Sequence, residues 1–353
     1  MPSDLAHYWP LDPAVTFLNH GSYGACPRAV LEAQQHFRER MERNPVEFLT
    51  RALEPLLDEA RQELAAFLGA DPQNLVFVPN TTTGVNAVLR SLRFEPGDEV
   101  LTTTHVYAAC RNALDFIADR TGARVVMAAI PFPVESPERI GELILAAKTP
   151  RTRLALLDHV TSPTGLIFPI AGLVRELATH GIETLVDGAH APGMLPLDLE
   201  SLGAAYYVGN CHKWLCAPKG AAFLHVRPDR QAALHPLAIS HGAHSRRKDR
   251  SRFHLEFDWT GTHDPTACLA APVAIRFLGS LLPGGWPAVM ARNHALACEA
   301  RQLLCRTLAV SPSCPDAMIG TMAAVPLPNA SEDPGSSPSA RDPLETALYA
   351  RFK

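Results

Sequence analysis

The chain centres on Gly209-Asn210-Cys211-His212-Lys213-Trp214-Leu215-Cys216-Ala217-Pro218-Lys219-Gly220, a polar turn with an apolar run on either side. The runs at 204–208 and 221–226 have the length and composition of buried strands. A lysine held between two such strands is partly desolvated, which lowers the pKa of its amine and favours the neutral, nucleophilic form. A carbonyl-condensing lysine needs that form. Taken alone, however, this lysine is better explained as an ordinary surface residue that happens to lie between two strands.

Composition and charge argue against several classes of protein. The 353 residues carry a formal net charge of -4, so no excess of Lys and Arg favours an electrostatic nucleic-acid binder. Hydrophobic residues make up 47% of the chain, as in a globular protein with a substantial core. The N-terminus lacks a basic stretch followed by an apolar one, and no run approaches a membrane span. We therefore expect a cytoplasmic protein that binds neither nucleic acid nor membrane.

The eight cysteines are scattered along the chain without a disulfide framework, so we expect reduced thiols. Cys211, His212 and Cys216 would suit a metal ion, but no second pair at ligand spacing accompanies them. We predict no bound metal.

From residue 53 onward, short apolar runs alternate with segments that have helical periodicity. This alternation predicts an α/β fold in which a mainly parallel sheet lies between two layers of helices. The predicted strands are 75–78, 99–102, 123–128, 154–157, 183–186, 204–208 and 221–226. Before residue 181, one helix is predicted to start at residue 27 and to reach the 38–43 region, and further helices are predicted at 53–68, 83–92, 108–120 and 173–180.

Three parts of the chain differ in pattern. We expect an N-terminal arm with a loop near the site of Lys213 at 1–50, a large domain that holds this site at 51–265, and a small α+β domain at 266–353. Within the first part, the Gly- and Pro-containing stretch at 17–27 predicts a turn-rich loop.

The later segments carry their own predictions. The basic stretch at 242–254 is typical of a solvated loop. Helices are expected at 268–281 and 286–308, and 318–327 resembles a strand of the small domain. The composition of 329–343 predicts a linker, and a last helix is expected at 344–352.

Polar residues follow five of the predicted strands. In sheets of this kind, ligands bind beyond the carboxyl ends of the strands, so these residues are expected to meet at one edge. The five stretches are 80–83, 104–107, 158–162, 187–190 and 210–213.

Two of these residues match the central requirements of pyridoxal 5'-phosphate (PLP). Lys213 supplies the amine for a Schiff base, and Asp187 supplies a carboxylate that keeps the pyridine nitrogen protonated so that the ring withdraws electrons. His190 follows Asp187 by three positions. Asp187 as a turn cap and His190 as a core histidine are the structural alternatives.

The phosphate and the ring of PLP have further candidates. Asn80, Thr81 and Thr82 open a predicted helix, whose N-terminus offers free N–H groups and a favourable dipole. A Thr at this place is more often only a helix cap. Asn210 and His212 add side-chain donors beside the lysine, and we expect His105 or Tyr107 to cover the face of the ring.

The sequence also resembles a known family. The most specific part of the resemblance lies in Asp187-Gly188-Ala189-His190 and His212-Lys213. Three further stretches carry it: Leu18-Asn19-His20-Gly21-Ser22-Tyr23-Gly24, Trp259-Thr260-Gly261-Thr262 and Met318-Ile319-Gly320-Thr321-Met322. The chain is similar to the class V aminotransferase group of fold-type I PLP enzymes, and within it to the branch around isopenicillin N epimerase. The resemblance implies a mainly parallel, seven-stranded-type sheet.

Residue roles follow from this resemblance. It implies that Lys213 forms the Schiff base, that Asp187 pairs with the pyridine nitrogen and that His190 lies near the 3′-oxygen. It also implies a phosphate site of Thr81, Thr82, Asn210 and His212, and a homodimer with shared sites in which Thr262 reaches the phosphate of the neighbouring subunit. Ser162 stands where the family has an asparagine, and we assign Asn19 and His20 to substrate contact.

The end of the chain departs from the family. Class V enzymes usually carry an arginine for the substrate carboxylate in a late strand, whereas this sequence ends at Arg351-Phe352-Lys353. We therefore expect a small domain that is truncated, with no clear substitute for that arginine.

These residues leave the reaction open among amino-acid chemistries. Loss of the Cα proton to Lys213 begins epimerisation, transamination and β-elimination alike. An epimerase- or aminotransferase-like activity is the first expectation. A cysteine desulfurase would need a nucleophilic cysteine, for which Cys314 is the candidate, and a C–S lyase would not. A non-catalytic dimeric scaffold with a vestigial site is the remaining alternative.

Overall fold

A computed structural model describes residues 4–328 and 343–352 of the chain. Its centre is one seven-stranded sheet, which confirms the predicted α/β class. The strands are β1 (Leu75–Val78), β2 (Glu99–Thr103), β3 (Arg124–Ala128), β4 (Thr152–Asp158), β5 (Glu183–Asp187), β6 (Tyr206–Asn210) and β7 (Ala222–Val226).

The strands lie in the order β1-β7-β6-β5-β4-β2-β3. The pairs β6–β5, β5–β4, β4–β2 and β2–β3 are parallel, and β7 runs antiparallel to both β6 and β1. The carboxyl ends of β4, β5 and β6 therefore point the same way and lie side by side.

Helices cover both faces of the sheet. The described α-helices are α1 (Arg28–Arg43), α2 (Pro45–Glu47), α3 (Leu53–Leu68), α4 (Thr81–Ser91), α5 (Ala108–Thr121), α6 (Pro137–Ala147), α7 (Ile170–Thr179), α8 (Leu199–Leu202), α9 (Arg252–Phe257), α10 (Thr266–Leu269), α11 (Ala271–Ser280), α12 (Gly285–Leu308) and α13 (Pro343–Phe352). Alternate residues of one strand enter different cores: Leu154 and Leu156 pack under α4 and α5, whereas Ala155 and Leu157 face the opposite side.

Local sequence explains where the helices begin and end. The Asn80 side chain accepts a hydrogen bond from Thr83 N–H and caps α4. Gly69 adopts a left-handed conformation (φ 62°) at the end of α3, and Gly122 (φ 75°) ends α5 in the same way.

Among the described α-helices of six or more residues, two lie where none was predicted. Pro137–Ala147 (α6) begins at a Ser136 cap with Pro at its first position, a start signal that the sequence does contain. Arg252–Phe257 (α9) falls partly within the stretch predicted to be a solvated loop. Residues 245–251 form a mostly exposed loop, as predicted. The prediction was wrong for 252–254, where α9 begins and buried Phe253, together with Phe257, anchors the helix to the sheet.

The strand predicted at 318–327 is absent from the described structure. Ile319 forms a single bridge to Leu166, and the residues after it have no regular structure. From residue 266 the described chain consists of helices with this one bridge. The linker predicted at 329–343 lies outside the described residues except for Pro343, and the last helix is present as α13. The domain boundaries at 50 and 265 stay predictions.

In the part of the chain described, no single helix is long and apolar enough to cross a membrane. One bent pair, Thr266–Ser280 with Gly285–Leu308, meets the requirement by length and composition alone. Much of α10 and α11 is buried in the core, as expected of core helices.

The contact between Gly188 and Tyr207 provides a test of this packing. A Cβ at position 188 would overlap the Tyr207 ring, which is fully buried and lies stacked on Phe223 at 6.2 Å. We expect Gly188→Ala to lower the free energy of unfolding by about 1–3 kcal/mol, the usual cost of overpacking, as measured by urea denaturation.

Gly172 supplies the matched control. It lies inside α7 with open space where a Cβ would be, so Gly172→Ala should raise stability by about 0.5–1 kcal/mol. Equal effects at both positions would contradict the packing described here.

Candidate active site

A pocket of about 450 Å³ opens at the carboxyl ends of the strands. It collects most of the residues that the sequence singled out: Asn80, Thr81, Thr82, Tyr107, Ser162, Asp187, His190, Asn210, His212 and Lys213. The predicted meeting of polar strand ends at one edge is therefore present. The pocket also takes residues from the N-terminal loop, among them Ser22 and Tyr23.

Lys213 lies in the turn after β6 with its amine inside the pocket. Its Nζ is 3.0 Å from Nε2 of His190. Burial lowers the pKa of Lys213, while the carboxylate of Asp187 and, more weakly, the groups of Cys110 and Asp158 oppose that shift. The amine is thus held closer to its neutral form than an exposed lysine, as the sequence predicted.

Asp187 ends β5 and is only 3% exposed. One carboxylate oxygen accepts the backbone N–H of Ala189 at 2.9 Å, and the other accepts the thiol of Cys110 at 3.2 Å. Asp158 ends the neighbouring strand and is 2% exposed, so a second carboxyl group lies beside the first.

The N-terminus of α4 forms a polar cradle with the end of β6. The Asn210 side chain accepts Thr81 N–H at 3.1 Å and donates to the Thr81 hydroxyl at 3.0 Å. These bonds fix the first turn of α4, whose N–H groups and dipole favour an anion.

Two histidines next to Lys213, buried His190 and half-buried His212, are neutral. Burial, with a contribution from Lys213, lowers the pKa of His190 to about 3 and that of His212 to about 4. Nδ1 of each ring is buried without a hydrogen-bond partner in the described structure. Such orphaned groups carry a free-energy cost unless a ligand satisfies them.

The N-terminal loop closes over the lysine turn. Gly24 N–H donates to His212 O at 3.0 Å, and Lys219 Nζ donates to Gly24 O at 2.6 Å. A Cβ at Gly24 would collide with the carbonyl oxygens of His212 and Lys213, so only glycine permits this approach.

Some predicted residues do not reach the pocket. His105 is buried at 6% exposure, with Nδ1 2.8 Å from Thr164 Oγ1 and Nε2 3.1 Å from Ile130 O. His105 lies outside the pocket lining, and its role over the cofactor ring stays a prediction. Tyr107, the other candidate, lines the pocket and is 44% exposed.

The remaining predictions concern the loop and the second subunit. Asn19 is exposed, and its side chain donates a hydrogen bond to Ser22 Oγ at 2.8 Å within the loop. Asn19 itself does not line the pocket. His20 lies against Trp214, with ring centroids 6.2 Å apart. Thr262 is exposed and also lies outside the lining, so its role toward a partner stays a prediction.

Sequence reasoning assigned no role to Asp158, Cys110 or Lys219. Asp158 belongs to one of the polar stretches that follow the predicted strands, and Lys219 belongs to the turn at 209–220. The sequence therefore indicated their positions but not their contacts. Cys110 gave no signal, because a thiol on an amphipathic helix is ordinarily a core residue.

Within the described residues, no group of three or more His, Cys, Asp or Glu side chains is placed to hold a metal ion. A lysine of lowered pKa, a buried carboxylate, an anion cradle and two orphaned imidazole nitrogens instead fit PLP. Asp187 would hold the ring nitrogen, and Thr81, Thr82 and Asn210 would hold the phosphate.

The family model for aminotransferase class-V matches residues 17–307. The chain belongs to the class V aminotransferase family. Members of this family are PLP-dependent enzymes, in agreement with the residues that line the pocket.

Several proteins are similar to this class V chain over nearly its whole length. Isopenicillin N epimerase of Streptomyces clavuligerus is 38% identical over 97% of this chain and 86% of its own length. The isopenicillin N epimerase of Amycolatopsis lactamdurans is 39% identical over 97% and 87%. A probable chloroplastic L-cysteine desulfhydrase of Arabidopsis thaliana is 31% identical over 92% and 70%.

Solved structures share the fold. The apo cysteine desulfurase of Thermococcus onnurineus superposes with a TM-score of 0.75 at 20% identity, covering 91% of this chain and 80% of that one. A mutant of C-DES with glycine covalently linked to its PLP cofactor gives a TM-score of 0.73 at 24% identity, covering 87% and 80%. At these identities the likeness concerns the fold alone.

The buried histidines predict how the cofactor-free protein responds to acid. Folded His190 resists protonation until pH about 3, whereas unfolded histidine takes a proton near its ordinary pKa of 6.5. The unfolded state therefore binds more protons as pH falls below 6.5, and the stability present above that pH is progressively lost. We expect urea denaturation to show a fall in unfolding free energy from pH 6.5 toward 4.

A substitution isolates the contribution of one ring. His190→Gln should flatten this dependence by up to about 1.4 kcal/mol per pH unit, whereas His36→Gln, at an exposed position of α1, should leave it unchanged. An identical slope for wild type and His190→Gln would refute the neutral, buried state of His190.

Proposed function

We propose that this class V protein is an amino-acid epimerase-type enzyme, in which Lys213 removes and returns the Cα proton. The observation that carries the proposal is the placement of Lys213 Nζ in the pocket, 3.0 Å from neutral His190 and near Asp187. PLP supplies the electron sink that makes the Cα proton acidic. The chain's own residues then bind, orient and transfer the proton.

Lys213 is suited to proton transfer by its environment. Burial lowers the pKa of its amine, which shifts the amine toward the neutral form that can accept a proton. His190 is neutral and presents Nε2 to the amine, which fixes the direction of Nζ without adding a competing charge. Asp187, buried and held by two donors, provides the negative charge that the ring nitrogen requires.

The relatives favour epimerisation. Two proteins named isopenicillin N epimerase are 38% and 39% identical over 97% of this chain. Proteins named L-cysteine desulfhydrase are 31% and 32% identical over 92% and 90% of it. A C–S lyase is therefore the second candidate, and it would begin with the same proton removal by Lys213.

The structure gives no support to a desulfurase that uses Cys314. This cysteine is 6% exposed and outside the pocket lining. Arg301 covers it, with Nη1 2.8 Å from Cys314 O and 3.4 Å from its Sγ, and burial raises the pKa of the thiol. A buried thiol of raised pKa is a poor nucleophile. The non-catalytic scaffold is likewise not proposed, because the lysine, carboxylate and anion cradle are all present.

Loss of the PLP linkage provides the first test. Purified wild-type protein mixed with PLP should be yellow, and borohydride should bleach the visible band by reducing the bond to Lys213. Lys213→Ala should abolish the band, whereas Lys248→Ala, at an exposed lysine, should retain it. A wild-type protein that stays colourless with PLP would contradict the proposed function.

Isotope exchange then separates the reactions. For an epimerase, a panel of L-amino acids in deuterium oxide should yield substrate that gains deuterium at Cα and inverts, without a keto acid. Release of sulfide from cysteine, unchanged in Cys314→Ala, would favour the C–S lyase instead. Keto-acid formation with loss of the visible band would identify an aminotransferase.

We also propose that the enzyme is a homodimer whose sites share Thr262. Thr262 is exposed on its own chain and does not line its own pocket, so it is free to approach another copy. Sedimentation should show a dimer at micromolar concentration. Thr262→Val should weaken PLP retention during dialysis, while Thr307→Val, at an exposed position of α12, should not. A monomer that retains PLP fully would overturn this proposal.

A further inference from the structure

Two carboxyl groups lie side by side beneath the pocket. Asp158 and Asp187 are register partners at the ends of β4 and β5. Neighbouring strands are about 4.8 Å apart, and register partners in a parallel pair project to the same face. Both residues are almost fully buried, and both line the pocket. Two like charges so close in a desolvated site cannot both be maintained cheaply.

The surroundings distinguish the two groups. Asp187 accepts hydrogen bonds on both oxygens, from Ala189 N–H and from the Cys110 thiol. Bonds of this kind stabilise an ionised carboxylate. Asp158 faces the backbone N–H of Tyr107, but its Oδ2 is buried without a partner in the described structure. An unpartnered, buried carboxylate oxygen is costly when charged and much less so when protonated.

The charged groups around Asp158 agree with this difference. Asp187 faces it from β5, Lys213 from the turn after β6, and Cys110 from α5. The neighbouring His159 ring points to Tyr207 O–H instead, at 2.8 Å. Burial first, and then the charge of Asp187, hold the pKa of Asp158 well above its usual range, against the opposing effects of hydrogen bonds from the backbone of Asp158 and Tyr107 and, last, of Lys213.

We propose that Asp158 is a positioning residue that carries a proton beside ionised Asp187. Its neutral carboxyl keeps the negative charge of the pair on Asp187, the carboxylate that is offered to the ring nitrogen of PLP. The Cys110 thiol serves the same end by donating to Asp187. The inference rests on the cofactor site of the proposed function, but it is independent of which reaction follows.

The first measurement is infrared spectroscopy of the cofactor-free wild-type protein at neutral pH. A protonated carboxyl group absorbs separately from carboxylates, so Asp158 should contribute a band that is lost in Asp158→Asn. Asp119→Asn, at an exposed carboxylate of α5, should leave the band in place. If wild type has no such band, or if the band survives in Asp158→Asn, the proposal is wrong. Absence of the band from the wild-type spectrum would overturn the proposal even if the variant does not fold.

The second measurement uses the pH midpoint of the visible band in the PLP-loaded enzyme. Asparagine imitates a protonated aspartate in shape and charge, so Asp158→Asn should leave the midpoint nearly unchanged. An ionised Asp158 would stabilise a protonated group at Lys213, and its removal would lower the midpoint by about one unit or more. That shift would overturn the proposal. Failure of the wild type to form a visible band would instead count against the proposed function itself.

Discussion

The parallel register of β4, β5 and β6 controls the chemistry of this protein. It places Asp158, Asp187 and, one turn beyond the strand, Lys213 at a common edge. A shift of one residue in any of these strands would turn its terminal side chain to the opposite face of the sheet. The large apolar cores on both faces oppose such a shift, because alternate residues of each strand are already committed to different helices. The precision of the site is therefore inherited from the packing of the sheet.

Burial then shifts the proton affinity of several groups at that edge. The imidazoles of His190 and His212 become neutral, and the pKa of the Lys213 amine falls, since each would lose its hydration as a cation. Of the two aspartates, Asp187 accepts a hydrogen bond on each carboxylate oxygen, whereas Oδ2 of Asp158 has no hydrogen-bond partner in the described structure. The two aspartates at this edge thus have different surroundings although they are chemically alike. Such separation within pairs is a common arrangement for acid–base catalysis.

Much of this architecture was available from the sequence. Apolar runs of strand length located all seven strands, and polar residues after them indicated Lys213, Asp187 and the cradle at Asn80 and Thr81. The orientation of a side chain was not available: His105 follows a strand, yet its ring turns toward Thr164 and Ile130. The apolar stretch at 318–327 has strand composition, but no neighbouring strand pairs with it in the described structure. A strand requires a partner, which composition does not reveal.

The closure of the N-terminal loop has a consequence for how the protein is made. Lys219 and Gly24, which this closure joins, are 195 positions apart in the chain. Contacts of such long separation are slow to form because the intervening chain must first be ordered. At a synthesis rate of about 5–20 residues per second, Gly24 waits roughly 10–40 s before its partner leaves the ribosome. The loop is thus synthesised early but can dock only late. While it waits, the nascent chain does not yet contain the reactive lysine.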